Sequence, residues 1–577
     1  MKEMKKEKTI LVILMLSMLF ISYNKVTVCK AIAEEKVFST AKIEDNFKND
    51  EILVTLTNEE SLDFKEYTIN SFGEINCVEV TDLTAAYKEK IESQKNGTYK
   101  GNMPVNLEKF NRLLKLTLGV KSKEYVLNSI MKLEEREDIL IAVPNMSLNL
   151  QNFDIQYSNS RSIINSHQYI DLNDVWEITT GSSNIKVGVI DSGISACHTD
   201  LDDNINRDLS RSMSDSVDSN HTLNIVDGRV FANPLYDSIG HGTSVAGIIG
   251  AEGDNNSQLT GVCWDVSLVS LKSFDNNEFS SNINKVINAF LYADIHEIPI
   301  VNCSFGWYNS NSLTNNQIEE MFDLSSVGLT ASEYKENYMI STSTANMLKQ
   351  SIENYGGLVV CAAGNENLSI SVQTNYESNE INSETNIYFY PASFNSNNIV
   401  VVGSATYLPV DEKWVKSDFS NYGTAVDIYA PGEDVYVLMV NNNDESLIGT
   451  GSGTSFSAPY ISGIAALILS RFNLSAIDIK YCILESADYI HNFVLDEAEN
   501  YIGSGEIVNP YEAVNYHIHS FSYEFYSQTQ HSCICYCGYS KKENHTWGSV
   551  NTVNFEYEIT AVPGYFVCTK CYATKVI

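Results

Sequence analysis

Three residue types that together could do acyl chemistry stand at Asp191, His241 and Ser455, in the segments IKVGVIDSGI, SIGHGTSVAGIIG and GTGSGTSFSAPYISGIAAL. A carboxylate can fix the tautomer of an imidazole, and the imidazole can take a hydroxyl proton as the oxygen attacks a carbonyl. Asp191 ends a fully apolar run, where an unpaired carboxylate would be costly, so an imidazole partner accounts for it. Neither Asp200 nor Asp237 has a comparable setting. Ser455 precedes FSAPYISGIAALIL, whose Ser457, Ala458, Ser462, Gly463, Ala465 and Ala466 would let a helix lie close to a sheet. A hydroxyl at a helix N-terminus gains a free backbone N–H and the positive end of the dipole.

The elements that must hold these groups read as alternating runs. IKVGVI, VSLVSLKSF, IPIVNCSF, GLVVCAAGN, IVVVGSA and VDIYAPG are short, rich in Val and Ile and separated by helix-length stretches. Runs apolar on both faces indicate an α/β fold, a parallel sheet covered by helices. Functional residues of such sheets gather at the carboxyl ends of strands, where Asp191, Ser304 and Asn365 all fall.

The chain order Asp–His–Ser, the glycines around His241 and the GTSFSAP segment resemble the subtilisin-like serine proteases, the subtilases. Chymotrypsin-like chains run His–Asp–Ser and α/β-hydrolases Ser–Asp–His, and the latter want glycine where this chain has Ser457. The resemblance runs from about Ile170 to His517. It implies a subtilisin-like three-layer fold with a central, mostly parallel sheet and a secreted serine endopeptidase with no cofactor in its chemistry. It implies Ser455 as nucleophile, His241 as base and Asp191 as its orienting partner, with Asn365 and the Ser455 backbone N–H binding the oxyanion. Ser304, Phe305 and Gly306 would form one wall of the cleft and pair with an extended polypeptide. Ala362, Ala363 and Gly364 would form the other wall. Phe389, before Tyr390-Pro391-Ala392, falls at the pocket floor, where its bulk would favour small side chains.

Two insertions depart from the family pattern, NRDLSRSMSDSVDSNHT between Asp191 and His241, and a stretch containing WYNSNSLTNNQIEEMF between Gly306 and Asn365. Both should flank the cleft, either narrowing it for a selective maturation enzyme or decorating its rim. Asp200 in HTDL, with Asp254 and Asn255 in GDNNSQ, matches the family's calcium positions, and hard oxygen ligands suit structural calcium.

Four divisions follow for the 577 residues. Residues 1–33 place lysines ahead of an apolar run from about Ile10 to Ile21, then Ala31-Ile32-Ala33, the pattern of an export signal, with an uncleaved anchor as the alternative. Residues 34–155 form a small α+β unit. EILVTL and ILIAVPN read as strands, and KEYVLNSIMKL carries Val126, Leu127, Ile130 and Leu133 at helical spacing. Its position resembles an inhibitory propeptide, though about Ser71 to Lys115 has no counterpart. A propeptide would be cut between Asn149 and Ser166, whereas a permanent domain would not be cut. Residues 156–516 are the catalytic domain. Residues 517–577 are Cys/His-rich, with Cys535, Cys537, Cys568 and Cys571 beside His531 and His545, a set suited to structural zinc or to disulfides.

Composition sets the remaining bounds. A formal charge of -35 disfavours nucleic acid and anionic membrane surfaces, and no later apolar run is long enough to span a bilayer. Cys263, Cys303, Cys361 and Cys482 lie singly in or beside apolar runs and read as small core residues, a Cys303–Cys361 bridge staying open. A catalytically silent binding protein of this fold would be expected to have lost one of the four reactive positions, and none is substituted. A peptidyl transferase using the same acyl-enzyme is a third reading.

Overall fold

The computed structural model describes residues 36–516 apart from 150–153, 158–169, 171, 214–224, 227–228, 231–233, 238, 256–258, 275–279, 323, 325–327, 374–385, 441–445 and 496–500. Beyond 516 it describes the strands at 521–525, 530–535, 540–544, 547–549, 565–568 and 574–576. The export signal expected at 1–33 lies outside the described residues.

The N-terminal unit is an antiparallel sheet backed by helices. Its strands are β1 (Phe47–Leu56), β2 (Cys77–Asp82), β3 (Leu113–Leu118) and β4 (Ile139–Asn149), in the order β4-β1-β3-β2. The Ser71–Lys115 stretch supplies β2, half of β3 and helix α1 (Tyr87–Lys95). Helix α2 (Lys123–Glu134) forms where the spacing of Val126, Ile130 and Leu133 predicts it, with Ser122 as N-cap accepting from the Tyr125 N–H. These three side chains are buried against the sheet.

A short strand, β5 (Asp154–Tyr157), leads into the second unit. The strands that carry chemistry are β6 (Gly181–Asp191), β7 (Asp265–Lys272), β8 (Ser280–Asn282), β9 (Ile300–Cys303), β10 (Leu358–Ala362), β11 (Ile399–Leu408) and β12 (Ile428–Pro431). All but β8 pair in parallel in the order β12-β11-β10-β9-β6-β7, the core of a ten-stranded sheet with antiparallel additions at Lys413–Lys416 and Asp488–Leu495. Helices α3 (His241–Gly250) and α6 (Thr454–Arg471) pack on one face, and α4 (Ile283–Ile295) and α5 (Thr342–Asn354) on the other. This is the three-layer α/β arrangement that the Val/Ile runs imply.

Helix α6 lies close because its contact residues are small. A Cβ on Gly463 would come within 2.6 Å of Val262, and Ala458, Ala465 and Ala466 are wholly buried. Among the described residues no single helix is long and apolar enough to cross a membrane. Cys303 and Cys361 sit opposite one another on β9 and β10 as free thiols, so the bridge left open is not formed. Neighbouring strands hold such pairs farther apart than the roughly 3.8 Å between the Cβ atoms of a disulfide. Cys263 and Cys482 are also free and buried. Burial pushes the thiols of Cys263, Cys303 and Cys482 up, as expected of inert core residues.

Candidate active site

Asp191 is the last residue of β6, and a Cβ on Gly242 would meet its Cβ at 3.1 Å and the Gly193 carbonyl at 2.1 Å. Glycine after His241 is thus what lets α3 come down onto the strand end. Gly240, with a left-handed φ of 87°, caps the helix and turns the chain so that His241 is its first residue. Both side chains are about 1% exposed, and His241 Nδ1 lies 2.8 Å from Asp191 Oδ1 and 3.0 Å from Oδ2. The Ser192 N–H donates to Asp191 Oδ1 at 2.7 Å, holding the carboxylate toward the ring. Phe456 packs on the imidazole with centroids 5.8 Å apart.

Ser455 is the second residue of α6, behind Gly453 at φ 150°. A side chain there would be strained and would reach 3.4 Å from Asn365 Nδ2, into the space the amide faces. Asn365 Oδ1 accepts from the Thr454 N–H at 2.8 Å and the Thr454 hydroxyl at 2.9 Å. With its oxygen occupied, the amide presents Nδ2 for other work. One cavity is lined by His241, Ser455 and Asn365 together with Ser304, Phe305, Gly306, Ala362 and Gly364, as the sequence reading expects. Ala363, expected in that wall, is wholly buried and does not line it, because alternation along the chain turns it inward between Ala362 and Gly364.

Phe389 also lines the cavity. Its ring would be 2.4 Å from a Cβ on Gly306, so it is pressed flat against the opposite wall. About 20 Å³ of open volume is left, little more than one water molecule needs. The insertion after Gly306 explains how the ring is held. Trp307 and Tyr308 pair with Tyr390 and Phe389 as a short antiparallel ladder, and the Tyr308 ring packs on Phe389 at 4.8 Å. The Tyr308 hydroxyl and Asn421 Nδ2 both bond the Glu366 carboxylate, which also accepts from the Asn365 N–H. Burial pushes the Glu366 carboxyl up. Sequence reasoning missed Tyr308, Glu366 and Asn421, which come together from three separate segments of the chain.

It also gave no weight to Asp237. That carboxylate is 1% exposed and accepts from four donors around the start of α3 and from the Ser192 hydroxyl beyond the end of β6. Its signal in the sequence is four-residue spacing to His241, which suits a cap but carries no chemistry by itself.

Asp200 is wholly buried, accepts from Asn255 Nδ2 at 3.4 Å and the Leu259 N–H at 3.2 Å, and forms no ion pair among the described residues. Asp254 stands exposed on the turn at φ 55°. A buried carboxylate suits a hard cation, but the groups facing this one are N–H donors, and among the described residues no three His, Cys, Asp or Glu side chains come together as a metal site. Cys535 and Cys568 lie on strands of two separate three-stranded sheets, while Cys537 and Cys571 lie outside the described residues.

The model of the subtilase family matches residues 182–511, more than half of the chain. The chain belongs to the subtilase family. Curated relatives include the thermophilic serine proteinase of Bacillus sp. (strain AK1), 28% identical over 341 residues, which are 59% of this chain and 64% of that one. Thermitase of Thermoactinomyces vulgaris is 27% identical over 364 residues, 62% of this chain and 100% of thermitase. The chain thus spans under two thirds of the first relative's length and the whole of the second's. Among solved structures, fervidolysin from Fervidobacterium pennivorans, a keratinolytic enzyme related to subtilisin, aligns with a TM-score of 0.51 at 15% identity, over 89% of this chain and 70% of that one. That likeness speaks for the fold. The domain it shares with these relatives is that of subtilisin-like serine proteases.

Proposed function

We propose that this subtilase hydrolyses peptide bonds with Ser455 as nucleophile, His241 as proton carrier and Asp191 as the group that orients and stabilises it. The carrying observation is the 2.8 Å contact between His241 Nδ1 and Asp191 in the cavity that also holds Ser455 and Asn365. Ser455 Oγ attacks the carbonyl carbon and its proton passes to His241 Nε2. The carbonyl oxygen becomes an oxyanion that takes hydrogen bonds from Asn365 Nδ2 and the Ser455 N–H. His241 then gives its proton to the leaving amine, and water enters by the reverse path to release the acid. No cofactor is needed for any step.

The Phe389 floor and the small remaining volume support cleavage after glycine or alanine, a selective rather than a broad specificity. Ser304–Gly306 would pair with the substrate backbone on one side, with Ala362 and Gly364 facing it.

Residues 34–155 read best as an inhibitory propeptide behind an export signal at 1–33. Ser147–Asn149 of β4 pair antiparallel with β8, so the end of this unit is delivered to the catalytic domain as an added strand. Beyond it β5 pairs with Ser446–Ser452, the strand that runs into the Ser455 helix. The expected cut between Asn149 and Ser166 falls, except for β5, outside the described residues. Residues 156–516 would be the mature enzyme, secreted, with 517–577 as an accessory module and calcium held at Asp200 and Asn255.

The test is intact mass of the exported wild-type chain beside Ser455→Ala, each treated with a fluorophosphonate. Wild type should lose about 150 residues from its N-terminus and gain one label, and the variant should do neither. Two full-length, unlabelled chains would overturn the reading.

A further inference from the structure

Behind Asp191 lies a second buried carboxylate that the mechanism above does not use. Asp237 Oδ1 accepts from Ser192 Oγ at 2.9 Å, the Gly240 N–H at 2.8 Å and the Ile239 N–H at 3.2 Å. Its Oδ2 accepts from the Thr243 N–H at 2.9 Å and the Thr243 hydroxyl at 2.7 Å. Four of these donors belong to the entry, cap and first turn of α3, whose first residue is His241. The fifth links it to the other side of the site, because Ser192 Oγ is also 3.2 Å from Asp191 Oδ1 and accepts from the Gly242 N–H at 3.0 Å.

A hydroxyl has one proton, so Ser192 can donate fully to only one of the two carboxylates. The shorter contact is to Asp237, which leaves Asp191 Oδ1 to the Ser192 N–H and the imidazole. The charged groups facing this cluster are Asp191 on β6, His241 on α3 and Lys272 on β7. Lys272 is 2% exposed and donates to the Ser192 carbonyl at 2.5 Å and the Tyr236 carbonyl at 2.9 Å, tying together the two loops that carry the aspartates.

We propose that Asp237 is a positioning residue for the reaction: through Ser192 and the first turn of α3 it sets Asp191 against His241, and its negative charge favours the imidazolium formed as Ser455 attacks. A cap that merely stabilised the helix would need neither the hydroxyl link to Asp191 nor a charge at this depth.

This inference rests on the catalytic reading of Asp191, His241 and Ser455, and the experiment keeps the two apart. Wild type, Asp237→Asn, Ser192→Ala and the Asp237→Asn/Ser192→Ala double variant are assayed as matured enzymes, with Ser455→Ala processed in trans by immobilised wild-type enzyme, on a chromogenic tetrapeptide amide with alanine before the cleaved bond. Asp237→Asn should lower kcat about 10-fold or more with KM within twofold. The acid-side midpoint of its kcat/KM profile should fall by about 0.5–1 pH unit, because a negative charge near the imidazole has gone. If Asp237 acts through Ser192, the double variant should lose little more than Asp237→Asn alone. An unchanged acid limb with kcat within twofold, whatever happens to Tm, overturns the proposal, as do losses that simply multiply. Should Asp237→Asn not fold, Ser192→Ala carries the test by itself: full kcat in that variant overturns the proposal. If Ser455→Ala is as active as wild type, it is the catalytic reading that has failed.

Discussion

Ser304 and Ser455 are joined twice: Ser304 Oγ donates to the Ser455 carbonyl at 2.7 Å, and Ser455 Oγ donates to the Ser304 carbonyl at 3.2 Å. The first bond depends on a proline. In a regular helix the Ser455 carbonyl would accept from the N–H of residue 459, but Pro459 has none, so the carbonyl is free for Ser304. The end of β9 and the start of α6 are thereby fixed to each other, with the cleft wall and the nucleophile in one rigid piece. Ser304→Ala should leave that buried carbonyl unsatisfied and cost about 1–3 kcal/mol of stability, read as a lower denaturant midpoint. The hydroxyl of Ser455 has to leave the Ser304 carbonyl to reach His241, so a lower stability with kcat no more than a few-fold changed is the expected pair of results.

Asn365 is held by its oxygen, and only its Nδ2 is offered to the cavity. Asn365→Ala should lower kcat by about two to three orders of magnitude with little change in KM, because the lost donor matters most when charge develops. Steady-state kinetics on a peptide amide checks this. A loss confined to KM would mean the amide binds ground-state substrate instead.

Phe389 is pinned between Gly306 and Tyr308, so shortening it should open the pocket without unfolding its floor. Phe389→Ala is expected to move the preference before the cleaved bond from alanine toward leucine or phenylalanine. The deleted ring costs about 3–5 kcal/mol of stability if the site does not collapse. A library of peptides varied at that one position reads the shift directly.

Much of this site is legible from residue order because each reactive group terminates a strand or opens a helix. The apolar runs ending at Asp191 and Cys303 and the small-residue helix after Ser455 identify both the elements and the groups they present. What escaped is of another kind. Asp237, Glu366 and Asn421 gain their importance from partners brought by other loops, and a polar residue in a loop looks the same whether it is solvated or fivefold bonded. The docking face of the N-terminal unit escaped for the same reason, since Lys90 and Asp294 are 204 residues apart.

His198 is 1% exposed, with its Nδ1 3.2 Å from the Asp200 N–H and its Nε2 3.2 Å from the Leu447 carbonyl. Burial holds its pKa below the usual 6.5. A histidine whose pKa is lowered on folding contributes stability that is present above 6.5 and lost as pH falls through the folded value, since the unfolded chain then binds more protons. Stability should therefore fall on acidification below pH 6.5, by at most about 1.4 kcal/mol per pH unit from this group, read as a lower Tm. His198→Gln should flatten that limb. Calcium at Asp200, in the next turn, would add to Tm at neutral pH, and a chelator should remove the increment; about 2.7 kcal/mol is expected at a hundredfold excess over Kd.

Besides the added strand, the N-terminal unit is fastened by one buried ion pair. Lys90 Nζ lies 2.6 Å from Asp294 Oδ2, with side chains 8% and 0% exposed, and it also donates to the Asp294 carbonyl at 2.9 Å. Tyr99 adds a bond to Glu297 at 2.6 Å, while Asp294 Oδ1 takes the Gly356 N–H at 3.0 Å. Both Lys90 and Tyr99 come from the Ser71–Lys115 stretch. Burial pushes the Asp294 carboxyl up, with Lys90 opposing it. Lys90→Met leaves that carboxylate buried without its cation, a change that costs about 3–5 kcal/mol unless the group takes up a proton. On the propeptide reading, the cleaved N-terminal fragment should co-elute with wild-type enzyme longer than with Lys90→Met in size-exclusion chromatography. Asp294→Asn should weaken retention less, because it removes the buried negative charge and keeps the shape. Equal retention in all three would show that the sheet face alone, without the ion pair, holds the fragment in place.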